Sequence, residues 1–365
     1  MDSFGFNLEI FIDAATTSSI RVFSGIGGLH YGLERAESTA TVLASFDVNE
    51  HANSCYQHNF GIKPSNKSID TLTAKDIEKY DSNCWLLSPP CQPFTQGGKS
   101  LDHQDNRSLA LLRIIEILQH IAIPPRFVFV ENVPNFETSE CRSRLVQALD
   151  QCNYDVKEYL ISPIQIGISN DRRRYYLAAK LRSSISIGKS NLSCLQTSHM
   201  ITRLDSESSD IALPIPPAIS TYLEQHCDIS EFLVPEQYIL KRKTFRFDLV
   251  KPTDTRCSCF TKAYGSHHII GSGSFLQTAN LDATFASDDG KAIVASRPRF
   301  FTPREIARLH GFPIDGVLHG SIGMLHTFEF PDSVPRSQQY KLLGNSLSVD
   351  VVAHLLKLLF LDSDV

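Results

Sequence analysis

With 365 residues, 42% of them hydrophobic and 21% charged, the chain can bury a large core and has the composition of an ordinary globular protein. Its net charge of −5 excludes a global attraction to nucleic acid, so any such binding has to come from local basic patches. Nine cysteines without regular spacing, no leader-like opening and no apolar run of about 18 residues predict a reduced, intracellular protein outside the membrane.

Short β-rich runs alternate with helical patterns in the first half, which predicts an α/β fold with a doubly wound, mostly parallel sheet. The predicted strands are 19–23, 41–46, 84–88, 126–132 and 174–180, and the predicted helices are 108–121 and 143–152. Ser-rich sequence around 183–210 predicts a linker, and the weak periodicity that follows predicts a smaller, irregular second domain.

Two further helices close the chain. The first covers 301–312, with Thr302 as the N-cap and Pro303 at the first helical position, and the second is a strongly apolar helix within 345–361. We therefore expect a main domain made of 1–182 and 299–365, and a second domain over 183–298.

A glycine-rich turn, FSGIGG at 23–28, follows the first predicted strand. Glycines there allow a sharp turn and close approach of a ligand, although a plain tight turn explains the motif equally well. Asp47 ends the next strand and could accept ribose hydroxyls, and Asp70 could bind an exocyclic amine. Either aspartate alone is more often a cap or turn residue, but the three features together favour a nucleoside-type cofactor without a pyrophosphate.

A cysteine stands in a proline-rich turn, LLSPPCQPF at 86–94, after another predicted strand. The prolines stiffen the backbone around Cys91, which suits a nucleophile presented from a fixed loop, whereas the alternative is an inert buried thiol. The position of Glu131 supports the first alternative, a nucleophilic Cys91. Glu131 ends a strand at the same sheet edge, where a partly desolvated carboxyl could hold a proton.

Three consecutive arginines occur in NDRRRYY. If this run is a strand, Arg172 and Arg174 point to one face, toward the same pocket. Solvated surface arginines are the alternative, which three arginines inside a strand-like run disfavour.

The segments FSGIGG, SPPCQPF, ENV, the arginine pair and LLGNS (342–346) occur in the order found in the DNA cytosine-5 methyltransferase family. The chain resembles this family over most of 20–180 and 299–361. CFTKAYG at 259–265 further resembles the signature of the small eukaryotic branch that methylates tRNA-Asp, and SPPCQPF and the lack of an appended regulatory domain agree with that branch.

The resemblance implies a Rossmann-like, class I S-adenosylmethionine-dependent methyltransferase. It implies that Cys91 adds to carbon 6 of cytosine, with cytosine 38 in the anticodon loop of tRNA-Asp as the target, and that carbon 5 then takes the methyl group. Glu131 would contact the ring edge, and Arg172 and Arg174 would stabilise charge and orient the base. The residues that the resemblance places around S-adenosyl-L-methionine are Phe23, Ser24, Gly25, Gly27, Asp47, Val48, Asp70, Pro90, Asn345 and Ser346.

Substrate contacts are expected from a locally basic segment, 241–262, which could track phosphates or be a solvated face. The candidates are Lys241, Arg242, Lys243, Cys259, Phe260, Thr261 and Lys262. Cys257, Cys259, His267 and His268 have poor spacing for zinc, so we expect no metal. We expect a monomer that acts on tRNA, binds DNA weakly at most, and works in the cytoplasm, with the nucleus as a second location left open.

The N-terminus departs from the family pattern, which has an acidic residue two positions before the Phe of FSGIGG. Here Arg21 stands at that position, as though a segment had been inserted between Phe11 and Ser24. Either SIRVF forms the first strand with Arg21 at the cofactor edge, or Glu9 reaches in from a displaced strand, and we favour SIRVF. Arg21 beside the methionine part of the cofactor could weaken binding, so two alternatives remain: a DNA methyltransferase, and a catalytically silent RNA-binding relative.

Overall fold

A computed structural model describes residues 17–90, 108–182, 200–204, 213–225, 228–241, 247–267, 269–283, 286, 289–314 and 327–361. The elements up to residue 181 are, in chain order, β1 (Ser18–Val22), α1 (Gly28–Ala36), β2 (Thr41–Phe46), α2 (Glu50–Phe60), α3 (Ala74–Glu78), β3 (Cys84–Leu87), α4 (Leu109–His120), β4 (Phe127–Asn132), α5 (Glu140–Gln151), β5 (Tyr154–Ile161), β6 (Asn170–Asp171) and β7 (Arg174–Leu181). The remainder contains α6 (Glu236–Leu240), β8 (Leu249–Val250), β9 (Cys257–Ser258), β10 (Phe275–Leu276), α7 (Gly290–Ala295), α8 (Pro303–Leu309), α9 (Arg336–Gly344) and α10 (Val349–Leu361). Short 3₁₀ helices cover Ile69–Thr71, Phe136–Thr138, Pro163–Ile166, Ile219–Tyr222 and Ile229–Phe232.

One six-stranded sheet forms the centre of the fold, with the strand order β2-β1-β3-β4-β7-β5. The first four strands in this order are parallel, and β7 pairs antiparallel with both β4 and β5. The predicted strands 19–23, 41–46, 84–88, 126–132 and 174–180 all lie in this sheet, so the mostly parallel α/β architecture is confirmed.

Both faces of the sheet are covered, as a doubly wound fold requires. Trp85 and Val128 on one face pack in a cluster with the apolar side chains of α4 and α5. Leu86 and Phe129, which point the other way along the same strands, pack in a second cluster with α1 and α10. The apolar C-terminal helix therefore docks on the main sheet, as its sequence predicts.

Local capping explains where several helices begin. α5 starts at Glu140, three residues before the predicted start, because the Ser139 side chain accepts a hydrogen bond from the Arg142 N–H at 3.0 Å. In α8, Thr302 is the N-cap as predicted, and it forms a capping box with Glu305: the Thr302 hydroxyl accepts from the Glu305 N–H, and the Glu305 carboxylate accepts from the Thr302 N–H.

The part after residue 200 contains short strands and helices, in keeping with the irregular organisation expected there. It is joined to the first part by the pairing of β6 with β9, and a third apolar cluster contains Ile26 and Tyr31 together with Phe260 and Phe301. The domain boundaries at 182 and 299 stay predictions.

Among the described residues, one stretch, Arg336–Leu361, has the length and hydropathy of a membrane span. It covers α9 and α10, and 61% of its apolar window is buried inside the protein. Buried core helices can have the same length and hydropathy, so this stretch is weak evidence for a membrane span.

Candidate active site

A cavity of about 660 Å³ lies where the strands β1 to β4 end. This is the edge at which open α/β sheets bind their ligands. Of the residues predicted to bind cofactor or substrate, the following line this one cavity: Phe23, Ser24, Gly25, Asp47, Val48, Asp70, Pro90, Glu131, Arg172, Arg174, Asn345 and Ser346.

The glycine-rich turn forms one wall of the cavity. Phe23 and Gly25 both have a positive φ, of 62° and 54°, so the chain turns sharply as it leaves β1. The turn is fastened to β2, because the Ser24 hydroxyl donates to the Phe46 carbonyl at 3.1 Å. A Cβ on Gly25 would meet no protein atom within 4 Å, so this backbone is open to a ligand.

Gly27 has a different place in the same turn and is not among the described residues that line the cavity. Its φ is 94°, and a Cβ there would lie 2.4 Å from Cε2 of Phe60. Glycine at this position therefore permits the packing of the turn against α2, and cofactor contact by Gly27 stays a prediction.

Two aspartates line the cavity, Asp47 directly after β2 and Asp70 beyond α2. Asp47 accepts hydrogen bonds from the N–H groups of Gly25 and Asn49, at 2.8 and 2.9 Å. Burial raises the pKa of Asp47, although these N–H groups act in the opposite direction. Asp70 lies in a 3₁₀ turn and accepts a hydrogen bond from the Ser68 hydroxyl. Both carboxylates keep further acceptor capacity for a polar ligand.

Glu131 is the buried acid of the site. It lies near the end of β4, where its Oε2 accepts a hydrogen bond from the Ser88 hydroxyl at 2.7 Å, and its Oε1 lies 3.6 Å from Nε of Arg174. Burial raises the pKa of Glu131, while Arg174, Ser88 and Arg172 act in the opposite direction. A carboxyl whose pKa is raised by burial keeps its proton to higher pH than an exposed one, which suits a group that holds or delivers a proton.

The arginine pair reaches the cavity by a different route from the one predicted. Only Arg174 belongs to strand β7, whereas Arg172 and Arg173 lie in the connection from β6. Arg172 and Arg174 nevertheless both line the cavity, and both contact Sγ of Cys259, at 3.1 and 3.7 Å. Their convergence therefore comes from the β6–β7 connection and not from strand alternation.

The model of the C-5 cytosine-specific DNA methylase family matches residues 17–360. The chain belongs to this family. The human tRNA (cytosine(38)-C(5))-methyltransferase is 32% identical, over 93% of this chain and 98% of that protein. The DNA (cytosine-5)-methyltransferase of Dictyostelium discoideum is 33% identical, over 93% of each chain. The solved structure of the Entamoeba histolytica methyltransferase EhMeth superposes with a TM-score of 0.77 at 32% identity, over 96% of this chain and 99% of that one.

These findings confirm the family predicted from FSGIGG, SPPCQPF, ENV and LLGNS, its methyltransferase class and its α/β fold. The residue roles carried over from the family stay predictions. The nucleophile predicted for this cytosine-5 methyltransferase, Cys91, lies outside the described residues.

The predicted substrate contacts of this methyltransferase differ in their exposure. Cys259 lies beside Arg172 and Arg174, Lys262 and Lys241 are exposed, and Thr261 is half-buried. The Phe260 side chain is wholly buried against Tyr264 and Phe301, so it belongs to the core, and its prediction as a substrate contact needs this correction. Arg242 and Lys243 lie outside the described residues.

Cys259 has an unusual environment for a thiol. Burial opposes its ionisation, but the neighbouring guanidinium groups of Arg172 and Arg174 outweigh that effect, so the pKa of Cys259 is lowered. Cys257, two residues earlier, is buried with its Sγ 3.0 Å from the Ser169 carbonyl, and burial raises its pKa to about 12. Among the described residues, no group of three or more His, Cys, Asp or Glu side chains could hold a metal ion.

Arg21 does not lie at the cofactor edge. SIRVF supplies the first strand, as favoured from the sequence, but the Arg21 side chain is completely buried and is not among the described residues that line the cavity. Its Nη1 lies 3.4 Å from the Tyr56 hydroxyl on α2. The expectation that Arg21 faces the methionine part of the cofactor is therefore wrong, because the side chain points toward α2. Glu9 lies outside the described residues.

Sequence reasoning missed two polar residues that shape the site. Ser88, which orients Glu131, is the first residue of the SPPC segment, and its place directly after β3 was the available signal. Asn132 follows Glu131, and its side-chain amide donates to the Pro89 carbonyl at 3.4 Å. The ENV and SPPC motifs are thus joined by direct contacts at one sheet edge.

Proposed function

We propose that this protein transfers a methyl group from S-adenosylmethionine to carbon 5 of cytosine in RNA, with cytosine 38 in the anticodon loop of tRNA-Asp as its target. The observation that carries the proposal is the single cavity that joins the glycine turn and Asp47 to Glu131 and Arg174. The name of the human relative supports a tRNA target, and the CFTKAYG signature agrees with it.

The residues around the cavity fit an adenosyl cofactor. Gly25 presents open backbone, Asp47 and Asp70 offer acceptors for hydroxyl or amine groups, and Asn345 and Ser346 add further polar lining beside the glycine turn. S-adenosylmethionine would supply the electrophilic methyl group. The chain's own part is to hold this cofactor and the target base in one enclosure, which reduces the entropic cost of bringing them together.

The base requires activation, because carbon 5 of cytosine is a weak nucleophile. In the proposed reaction the Cys91 thiolate forms a bond to carbon 6, and the electron pair of the 5,6 double bond moves toward carbon 5 and the ring. The Glu131 carboxyl holds a proton at ring nitrogen 3, so the addition builds no isolated anion, and Arg174 stabilises the charge that develops. Carbon 5 takes the methyl group as the methyl–sulfur bond breaks and S-adenosylhomocysteine leaves. A base then removes the proton of carbon 5, the electron pair expels the Cys91 thiolate, and the proton at nitrogen 3 returns to Glu131.

An RNA loop suits this chemistry better than a duplex. Carbon 6 is attacked from the face of the ring, so the base has to leave its stack, which costs a few kcal/mol in a duplex. Bases in an anticodon loop are already accessible, so that cost is smaller.

A paired assay tests the proposal. Purified protein receives methyl-labelled S-adenosylmethionine with either a tRNA-Asp transcript or a cytosine-containing DNA duplex, and we expect label in the tRNA only. Cys91→Ala should abolish transfer while tRNA binding, measured by filter retention, is preserved. Label in the DNA alone would establish the DNA methyltransferase alternative, which the name of the Dictyostelium relative favours. Failure of S-adenosylmethionine to bind at millimolar concentration in calorimetry would favour the silent RNA-binding alternative.

A further inference from the structure

The Arg172 guanidinium lies between two segments that are distant in the sequence. Its Nη1 donates to the Phe260 carbonyl at 2.8 Å and contacts Sγ of Cys259 at 3.1 Å. Its Nη2 donates to the Gly344 carbonyl at 3.0 Å and also to the Ser346 carbonyl. One rigid, planar group therefore fastens the CFT segment (259–261) to the turn between α9 and α10 (344–346).

The same two segments touch directly beside this arginine. A Cβ on Gly344 would lie 2.3 Å from the carbonyl carbon of Thr261 and from the amide nitrogen of Lys262, so the two backbones are in close contact. Backbone atoms cannot yield as the tip of a side chain can. A displacement of either segment is therefore transmitted to the other.

The two segments face different ligands in the proposed reaction. Gly344, Asn345 and Ser346 line the cavity on the side where we place the cofactor. The CFT segment carries Cys259 beside Arg174 and continues into the exposed Lys262, on the side where we place the RNA.

Arg174 has other neighbours. Its Nε lies 3.6 Å from Oε1 of Glu131, and its Nη1 donates to the Arg173 carbonyl at 2.7 Å. Both arginines contact Sγ of Cys259, but Arg174 is also placed beside the acid that would hold the base, whereas the other bonds of Arg172 go to backbone carbonyls of the CFT segment and the α9–α10 turn.

We propose that Arg172 is a positioning residue that couples cofactor binding to RNA binding, and that contact with the target base is left to Arg174. The inference rests on the proposed function. In this proposal, cofactor binding fixes the conformation of the 344–346 turn. The hydrogen bonds of Arg172 then hold the CFT segment in a fixed position relative to that turn. RNA therefore binds a CFT segment that is already positioned. Because such coupling is reciprocal, RNA must tighten cofactor binding by the same factor.

Calorimetry tests the coupling. S-adenosylhomocysteine is titrated into the full chain with and without a saturating anticodon stem-loop of tRNA-Asp. We expect the RNA to lower the Kd of the wild type at least about 5-fold, the lower end of typical couplings. Arg172→Lys keeps the charge but loses the planar fork, so the RNA effect should fall below about 2-fold. Arg174→Lys should lose turnover yet retain the coupling, and Arg173→Lys, at an exposed neighbouring position, should match the wild type in both.

Retained coupling in Arg172→Lys would overturn the inference, and so would independent binding of the two ligands to the wild type. Neither result would affect the proposed function, which fails instead if the wild type binds no S-adenosylhomocysteine.

Hydrogen exchange of the wild type gives a second test that needs no variant. S-adenosylhomocysteine should slow exchange of the Thr261 amide, which donates to the Ser272 carbonyl at 2.8 Å, as well as exchange in 344–346. Slowing in 344–346 with no change over 259–264 would contradict the coupling.

Discussion

Arg174 and Glu131 meet in the lining of the cavity, with Nε of the arginine 3.6 Å from Oε1 of the glutamate. The Ser88 hydroxyl holds the other carboxylate oxygen at 2.7 Å. The acid is therefore fixed from two sides, while burial raises its pKa. This arrangement fits a carboxyl that has to present a proton to the edge of a ring.

Glu131→Gln should reduce methyl transfer by about 10²- to 10⁴-fold, the usual contribution of a positioned acid or base, because an amide cannot deliver the proton. The variant should still bind S-adenosylhomocysteine with a Kd near that of the wild type. Initial rates and calorimetry measure the two effects. Glu116→Gln, on an exposed part of α4, is the control and should leave the rate unchanged. A Glu131→Gln rate within about 10-fold of the wild type would contradict the assigned proton transfer.

The same carboxyl predicts a pH effect on stability. Because the pKa of Glu131 is higher in the folded than in the unfolded state, folding favours the protonated form. The contribution of the Glu131 carboxyl to stability is complete at pH values below its pKa in the unfolded state. That contribution is lost as the pH rises through its pKa in the folded state. The Tm of the wild type should therefore fall more steeply over that interval than the Tm of Glu131→Gln, as differential scanning fluorimetry can measure. Parallel Tm curves for the two proteins would contradict a raised pKa.

Cys259 should be the fast-reacting thiol of its segment. Arg172 and Arg174 lower its pKa, whereas burial raises the pKa of Cys257 to about 12. At pH 7 iodoacetamide should alkylate Cys259 well before Cys257, since the thiolate is the reactive form. Mass spectrometry of the peptide that contains both thiols measures the ratio, with Cys257 as an internal control. Equal rates in the native protein would contradict a lowered pKa of Cys259.

The sequence predicts those parts of the fold that depend on local pattern. Apolar strands, caps and motif glycines place Gly25, Asp47 and Glu131 at one sheet edge, because parallel strands end together. The strand Tyr154–Ile161 was missed, since charged residues interrupt its apolar pattern and its buried Glu158 is paired with Arg142 from α5.

The contacts of Arg172 could not be predicted in the same way. Its acceptors are backbone carbonyls 88 and 172 positions away, and a carbonyl has no sequence signature. Burial of Arg21 and Phe260 likewise depends on which face each segment turns toward the core, and this is decided by tertiary packing.

Replacing Arg21 by an apolar residue should raise the free energy of unfolding. Among the described residues, its Nε and Nη2 have no hydrogen-bond partner, and its contact with the Tyr56 hydroxyl is long, at 3.4 Å. A buried polar group without a partner costs about 1–3 kcal/mol. Arg21→Met, which keeps much of the side-chain volume, should therefore raise the free energy of unfolding by about that amount. Urea denaturation measures it.

Arg299 is the matched control, because it is also buried but makes two bonds of 2.7 Å to Glu305. Arg299→Met should destabilise the protein by about 3–5 kcal/mol, since it leaves the Glu305 charge buried and unpaired. If Arg21→Met lowers stability as Arg299→Met does, Arg21 has an effective partner and the inferred penalty is absent.

For Gly344→Ala, helix propensity and packing predict opposite effects on stability. Gly344 ends α9, where alanine on propensity alone would stabilise the helix by up to about 1 kcal/mol. The added Cβ, however, would lie 2.3 Å from backbone atoms of Thr261 and Lys262, which cannot move aside as a flexible side chain can. We expect a loss of about 1–3 kcal/mol or more, measured by urea denaturation.

Gly290→Ala, whose Cβ would make an ordinary 3.4 Å contact with Leu240, should be neutral or slightly stabilising. A neutral Gly344→Ala would mean that the CFT segment and the α9–α10 turn are not in rigid contact, and the steric part of their coupling would be lost with it.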